Sequence, residues 1–415
     1  MMSYLPFSVV AKPTGAACNL DCHYCFFLSK EALYDVKRQL MSEETLETYV
    51  KQYLAASPDG EVTMLWQGGE PTMRGLDFFR AMVSFVDKYR RPSQNVSHAL
   101  QTNATLIDAQ WAEFLAEHDF LVGVSIDGPA KLHDAYRVNK AGRGTHAQVV
   151  KGWRILQDAG VRCNVLCTVH HANEKRALQV YRYFRDVLDA HYIQFIPIVE
   201  RIAPGLSKEQ ANLPQSEQDV YRQDGSGVTK RSTSPSAYGK FLCTVYDEWL
   251  STDVGKVFVQ DFDSALAAMF GQPSVCVHAP SCGNNFAMEF NGDVYACDHW
   301  VEPQWLLGNI SQSTFEDIAR TERMQKFSEK KQNLPPRCEQ CKYLRLCWGG
   351  CPKDRFVGSG VAGSAGDSNA ESPRYNYLCK GYYAFYDHAW SSLTKMARLV
   401  ASGRPAADVM QTNRQ

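Results

Sequence analysis

Three thiols near the start of the chain, Cys18, Cys22 and Cys25, are separated by three and then two residues. A loop with that spacing can wrap an iron–sulfur cube and ligate three of its four irons, because a full cube takes one thiolate per iron. The fourth iron then stays open to a small molecule that chelates through an amine and a carboxylate. Tyr24 and Phe26 flank the last thiol. They offer a dry wall and a surface for a purine ring. The competing chemistry is a zinc knuckle, which wants a fourth Cys or His close by. His23 is available, but it lies between two of the cysteines and is poorly placed to close the same tetrahedron.

Eight further thiols crowd the last third of the chain: Cys276, Cys282, Cys297, Cys338, Cys341, Cys347, Cys351 and Cys379. Eight thiolates are enough for two complete cubes. They are also enough for two all-cysteine zinc ribbons, and spacing alone excludes neither. A redox loop in the same chain favours electron-carrying clusters. Gly349-Gly350, between Cys347 and Cys351, permits the tight backbone that surrounds a cluster. Cys163, Cys167 and Cys243 read as small buried hydrophobes. The stretch Met1 to Pro13 has no basic segment ahead of its apolar residues, so a secretory signal is not expected and a cytoplasmic setting is. In such a reducing compartment 14 cysteines point to metal or redox chemistry rather than disulfides.

These thiols need elements to hold them. Residues 6–12 read as a short buried strand leading into the first cysteine loop. Helix and strand patterns then alternate. Helices are expected from Ser42, a good N-cap, to about Ala56, and over 76–89, 108–118, 145–159 and 178–188. Strands are expected over 62–66, 96–102, 120–126, 163–169 and 193–198. Six strands with intervening helices argue for a parallel sheet with outer helices, an α/β fold. Polar and Gly-marked residues recur just past the strand ends, the face on which barrel enzymes carry their active sites. Residues 202–236 dissolve into polar sequence, read as an irregular insertion or linker. Helices follow over 238–250 and 264–270. Strands at 288–290 and 294–296 flank Asn291-Gly292, a hairpin signal. Residues 357–373 read as a loop.

With 415 residues, two or three domains are expected. Hydrophobic residues at 45% and charged residues at 21% exclude whole-chain disorder. A net charge of −1 gives no electrostatic argument for nucleic acid or an anionic membrane, and neither partner is expected. No apolar run is long enough to span a bilayer.

The run Cys18-Asn19-Leu20-Asp21-Cys22-His23-Tyr24-Cys25-Phe26-Phe27 resembles the radical S-adenosylmethionine (SAM) signature. That resemblance implies a partial (β/α)6 barrel and a SAM-binding [4Fe-4S] cluster on Cys18, Cys22 and Cys25. Gln67-Gly68-Gly69-Glu70-Pro71 resembles the superfamily's motif for the SAM amine. Bare Gly68 and Gly69 let backbone approach a ligand, and Glu70 can fix an ammonium. Ser125 and Arg137 match positions that hold the SAM carboxylate, an arrangement suited to a forked guanidinium. A surface salt bridge is the alternative for Arg137. Val199 matches a position whose backbone touches adenine.

The tail resembles the SPASM domain of peptide-modifying radical SAM enzymes. Its pattern implies a first auxiliary cluster on Cys276, Cys282, Cys297 and Cys351, and a second on Cys338, Cys341, Cys347 and Cys379. Gln101-Thr102-Asn103, Tyr295-Ala296-Cys297-Asp298-His299-Trp300 and Leu344-Arg345-Leu346-Cys347-Trp348-Gly349-Gly350-Cys351-Pro352 narrow the resemblance to the anaerobic sulfatase-maturating enzymes, from about Ala11 to Tyr386. Ala104, where that family often has Gly, is one departure. The implied layout is a radical SAM barrel over 1–200, an insertion with helices over 201–273, a SPASM domain over 274–390 and a C-terminal helix and tail over 391–415. The implied reaction oxidises a Cys or Ser of an unfolded or nascent sulfatase to Cα-formylglycine, with three [4Fe-4S] clusters, SAM, and a flavodoxin or ferredoxin as electron donor. Asp298, beside a cluster ligand, would take the proton; the residues alone leave His299 open as the base. A peptide-crosslinking SPASM enzyme and a non-catalytic zinc-ribbon module are the alternative readings.

Overall fold

Buried positions alternate along Gly60–Trp66 and run together towards the ends of Phe120–Ser125 and Arg162–Val169, and helices alternate with these strands along the chain, as in a parallel α/β sheet. The computed structural model describes residues 7–34, 40–217, 224–283, 285–358 and 374–412. It begins with β1 (Ser8–Ala11) and the cysteine loop. There follow α1 (Glu43–Ala56), β2 (Gly60–Trp66), α2 (Leu76–Tyr89), β3 (Gln94–Thr102), α3 (Ala109–Glu117), β4 (Phe120–Ser125), α4 (His146–Asp158), β5 (Arg162–Val169), α5 (Ala177–Arg182) and β6 (Tyr192–Pro197). Ser42 caps α1 as expected, accepting from the Thr45 N–H, with Glu43 and Glu44 in the first turn. The helix read over 178–188 relaxes after Arg182 into a π turn, Tyr183–Val187.

Strands β1 to β6 pair in parallel and in chain order, and β7 (Phe258–Val259) extends the β6 edge. On the other edge, β8 (Asn285–Met288) pairs in parallel with β1, and β9 (Asp293–Tyr295) and β10 (Leu306–Asn309) follow antiparallel. The result is one open sheet of ten strands, a barrel that does not close. The tail hairpin is thus hydrogen-bonded to the first barrel strand. Its turn includes Asn291-Gly292 as expected, but the strands end at Met288 and restart at Asp293. Phe290 belongs to the turn, closed by Glu289 N–H to Asp293 O and Gly292 N–H to Glu289 O.

The polar stretch after β6 is more ordered than its composition suggests. Arg201–Ile202 pairs with Gly227–Val228. Arg231 forms a buried two-pronged ion pair with Glu200, at 2.8 and 2.9 Å. Thr233 donates to Glu174 at 2.8 Å. These contacts fold the segment over the sheet end at β6. Residues 218–223, and 359–373 of the expected second loop, lie outside the described residues.

Helices Pro235–Thr252 and Cys379–Ala401 pack closely because both are bare at the crossing. A Cβ on Gly381 would lie 2.3 Å from the Pro235 carbonyl oxygen, and one on Gly239 2.8 Å from Gly381 Cα. Gly381→Ala is expected to cost about 1–3 kcal/mol of stability, read as a lowered thermal midpoint at unchanged iron content. An unchanged midpoint would mean that the helices separate freely.

His98 supplies a pH dependence. It is buried on β3, stacked 4.9 Å from Phe120, and its Nδ1 has no partner among the described residues. Burial pushes its pKa down to about 4. The unfolded ring titrates near 6.5. The neutral ring's contribution is therefore complete above pH 6.5 and fades as pH falls towards 4. Over that interval the native protein should lose on the order of 2–3 kcal/mol more than His98→Phe, measured by denaturant titration; parallel pH profiles would refute this. No helix among the described residues is long and apolar enough to cross a membrane.

Candidate active site

The cysteine loop leaves β1 and zips against residues 136–139 through Asp21 N–H to Val138 O and His23 N–H to Tyr136 O. Burial pushes all three thiols up, Cys22 to about 12, so a bound cation is needed to make them thiolates. Cys18 Sγ accepts from Leu20 N–H at 3.4 Å and from the Asn103 amide at 3.7 Å. Such donors suit a thiolate that ligates a cluster. The donor set therefore fits an iron–sulfur group held by three cysteines.

The Gly-Gly turn after β2 has a different physical reason from the one its sequence suggests. Gly69 N–H donates to Gly15 O and Glu70 N–H to Ala17 O, both at 2.9 Å. A Cβ on Gly69 would lie 2.0 Å from Ala17 O, and one on Gly68 2.7 Å from Gly15 O. The glycines thus let the cysteine loop itself press on this turn. Glu70 is fully buried and accepts from Thr72 N–H, Thr72 Oγ1, Thr102 Oγ1 and Asn103 N–H at 2.6–3.1 Å. It ties the ends of β2 and β3 together. Among the described residues its Oε2 accepts only from Asn103 N–H, which leaves one lone pair unused. Ala104 follows in the left-handed region, φ 57°, where Gly would cost less. Gln101 donates to Ser125 Oγ at 3.1 Å, and Gly123 is bare because its Cβ would meet Gln101 Oε1 at 2.1 Å.

Arg137 is buried, which removes the surface-bridge alternative. Its Nε and Nη2 grip Asp127 at 2.9 and 3.2 Å. Burial works against the Asp127 charge, but Arg137 and then His170 outweigh it and hold the carboxyl well below the usual range. Asp127 also accepts from the Tyr24 hydroxyl and from Thr168 N–H, so one buried carboxylate orients Arg137 and Tyr24 together. Arg137 Nη1 has no partner among the described residues. Val199 lies buried past the end of β6. Asp127 was readable only as part of a strand-end motif.

Asp298 sits where the tail meets the barrel. Gln67 Nε2 donates to its Oδ2 at 3.0 Å, and Lys12 Nζ lies 2.8 Å from its Oδ1. Lys12 also bonds Glu289 at 2.9 Å, and both are almost fully buried. Burial alone would lower the Lys12 pKa; the charges of Asp298 and Glu289 outweigh it and hold the ammonium above the usual lysine range. Asp298 keeps 17% of its side chain exposed. His299 is half-buried and packs against Phe26, ring centroids 5.4 Å apart. Sequence reasoning missed Lys12 and Glu289. The signal was a lysine ending an otherwise apolar strand.

The tail thiols form two neighbourhoods. Cys351 and Cys276 act electrostatically on Cys297, and Cys276 acts on Cys282 and Cys351. Cys379 and Cys341 act on Cys338, while Cys379 and Cys338 act on Cys347. The second four, Cys338, Cys341, Cys347 and Cys379, line one cavity of about 490 Å³. Among the described residues no group of three or more Cys, His, Asp or Glu is placed to hold a single metal ion.

Residues 13–184 match the radical SAM superfamily, and residues 276–342 match the iron-sulfur cluster-binding SPASM domain. The chain is 40% identical to a serine-type anaerobic sulfatase-maturating enzyme of Bacteroides thetaiotaomicron, across 99% of this chain and 96% of that one. It is 32% identical to a cysteine-type anaerobic sulfatase-maturating enzyme of Clostridium perfringens, across 94% and 98%. The fold superposes on the solved structure of anSMEcpe with bound AdoMet and the Cp18Cys peptide with a TM-score of 0.81, at 30% identity, covering 95% of this chain and all of that one. Identity of 30% or more over nearly whole chains, with both domain matches in place, shows that this protein belongs to the anaerobic sulfatase-maturating enzymes, radical SAM enzymes with a SPASM domain.

Proposed function

We propose that this enzyme oxidises a Cys or Ser side chain of an unfolded or nascent sulfatase to Cα-formylglycine. Whole-chain identity to both serine-type and cysteine-type maturating enzymes supports the reading. Cys18, Cys22 and Cys25 would hold the SAM-binding cluster, Cys276, Cys282, Cys297 and Cys351 the first auxiliary cluster, and Cys338, Cys341, Cys347 and Cys379 the second. When bound, these groups and SAM supply a 5′-deoxyadenosyl radical at one end and an electron sink at the other.

The chain's own residues bind and orient. Glu70 Oε2 would accept from the SAM amine, Arg137 and Ser125 would hold its carboxylate, Tyr24 would wall the site, and Val199 would offer backbone to adenine. The oxidation removes from the substrate a Cβ hydrogen atom, one electron and one proton; Ser becomes the aldehyde directly, while Cys becomes a thioaldehyde that water hydrolyses to the aldehyde with loss of hydrogen sulfide. Only the proton needs a protein group, and Asp298 takes it. Lys12 carries one positive charge between two carboxylates. When Asp298 is neutralised, Glu289 still pairs Lys12, so proton uptake leaves no buried charge alone. The single observation that carries the assignment is Asp298 bridging Gln67 of the SAM-side turn and Lys12 just past β1, one residue from Cys297.

The test is an oxygen-free assay with SAM, a reduced flavodoxin or ferredoxin, and paired peptides carrying Cys-x-Pro-x-Arg or Ser-x-Pro-x-Arg. A carbonyl-reactive product is expected on at least one peptide. Loss of two hydrogens without a reactive carbonyl would point to crosslinking instead.

A further inference from the structure

Between the two tail cysteine sets lie two cations that the oxidation does not otherwise use. Lys331 is 1% exposed, on the helix Glu322–Gln332. Its Nζ donates to Val277 O at 2.7 Å and to Gly350 O at 2.6 Å. Val277 follows Cys276 and Gly350 precedes Cys351, both of the first set. Its third N–H has no acceptor among the described residues. Arg355 spreads its guanidinium over the same turn. Its Nε reaches Gly349 O at 3.0 Å, and its Nη2 reaches Trp348 O at 2.7 Å.

Neither cation forms an ion pair with a carboxylate among the described residues. Their leading anionic neighbours are cysteines of both sets: Cys351, Cys282 and Cys347 for Lys331, with Cys338 added for Arg355. Burying Lys331, and half-burying Arg355, without carboxylates is expensive. It becomes reasonable where the counter-charge is the anionic cluster that those thiols hold.

We infer that Lys331 and Arg355 are positioning residues that raise the reduction potentials of both auxiliary clusters. The inference rests on the two-cluster reading of the tail. A nearby positive charge stabilises the reduced, more negative state of a cluster, and net charge and hydrogen bonding are recognised determinants of cluster potential. In the oxidation the substrate loses one electron and an auxiliary cluster gains it. Later the electron leaves for the one-electron carrier. The cations make the tail the downhill destination.

The test is a redox titration of reconstituted full-length protein, followed by electron paramagnetic resonance, with the N-terminal cluster as internal reference. In Lys331→Met the auxiliary signals should be at least tenfold less reduced at the native midpoint, about 59 mV for one electron. Lys331→Arg should stay at the native midpoint, and the N-terminal cluster should not move. An unmoved auxiliary midpoint in Lys331→Met at full iron content overturns the inference. Where Lys331→Met sheds iron, Lys331→Gln keeps a donor without the charge and is titrated in its place. If both neutral variants shed iron, the lysine is scaffold and the inference fails. A native protein that reconstitutes with about four irons rather than about twelve overturns the reading beneath it, a separate result.

Discussion

Asp298→Asn is expected to keep releasing 5′-deoxyadenosine while aldehyde formation falls by about 10²–10⁴-fold, the usual contribution of a positioned general base. The substitution is nearly isosteric. Asn can still face Gln67, and Lys12 keeps Glu289, so the seam between tail and barrel holds. What disappears is a carboxylate able to accept a proton. In the proposed reading SAM binding draws on Glu70, Ser125 and Arg137, which Asp298 does not touch, so cleavage should continue. His299→Gln is the comparison. Both residues are half-buried; His299 packs its ring against Phe26, whereas Asp298 holds its carboxylate between Lys12 and Gln67. Retained aldehyde in Asp298→Asn with loss in His299→Gln would move the base by one residue. Product is read by mass and 5′-deoxyadenosine by chromatography in the same reaction, so a folding defect, which lowers both, is separable.

Most of this site was legible because its chemistry is local in sequence. Cys18, Cys22 and Cys25 share one loop, Gly68 to Glu70 share one turn, and the alternating strands put each motif at a strand end. The partners of those motifs were not legible, because they arise from pairings between distant segments. Nothing near Arg137 announces that Asp127 is gripped by two of its nitrogens. Nothing near Lys12 announces Glu289 and Asp298, since that triad exists only because β8 adds to the edge of β1. The reason for Gly69 was hidden in the same way. Its missing side chain makes room for Ala17 O of the cysteine loop, a contact invisible until β1 and β2 lie side by side. The polar segment after β6 misled through composition. Its buried part is held by the Glu200–Arg231 pair rather than by apolar residues.

Cys351→Ala is expected to lower the iron content from about twelve towards about four rather than eight, because the two tail clusters share one turn. Cys347 belongs to the second set and Cys351 to the first, with Trp348, Gly349 and Gly350 between them at φ 46°, 68° and 63°. The two glycines adopt the left-handed region freely, but for Trp348 it costs about 1–3 kcal/mol. Lys331 and Arg355 bind the turn's carbonyls, and in the proposed two-cluster reading ligation at both ends would hold it further. With the first cluster lost, those cations lose half of their counter-charge and the turn loses one anchor, so the second cluster should follow. The segments around the ligands have little structure to fall back on. Pro336–Glu339, Leu344–Cys347 and Cys276–His278 are single turns. Hydrogen exchange in Cys351→Ala should therefore rise by about 100-fold or more across 333–357, at least about 2.7 kcal/mol of lost local stability. Strands β8 to β10 should stay protected, because their partners are β1 and each other. Retention of about eight irons with only local loss at Cys351 would show that the two clusters fold independently, and that the interleaved order of their ligands has no energetic consequence.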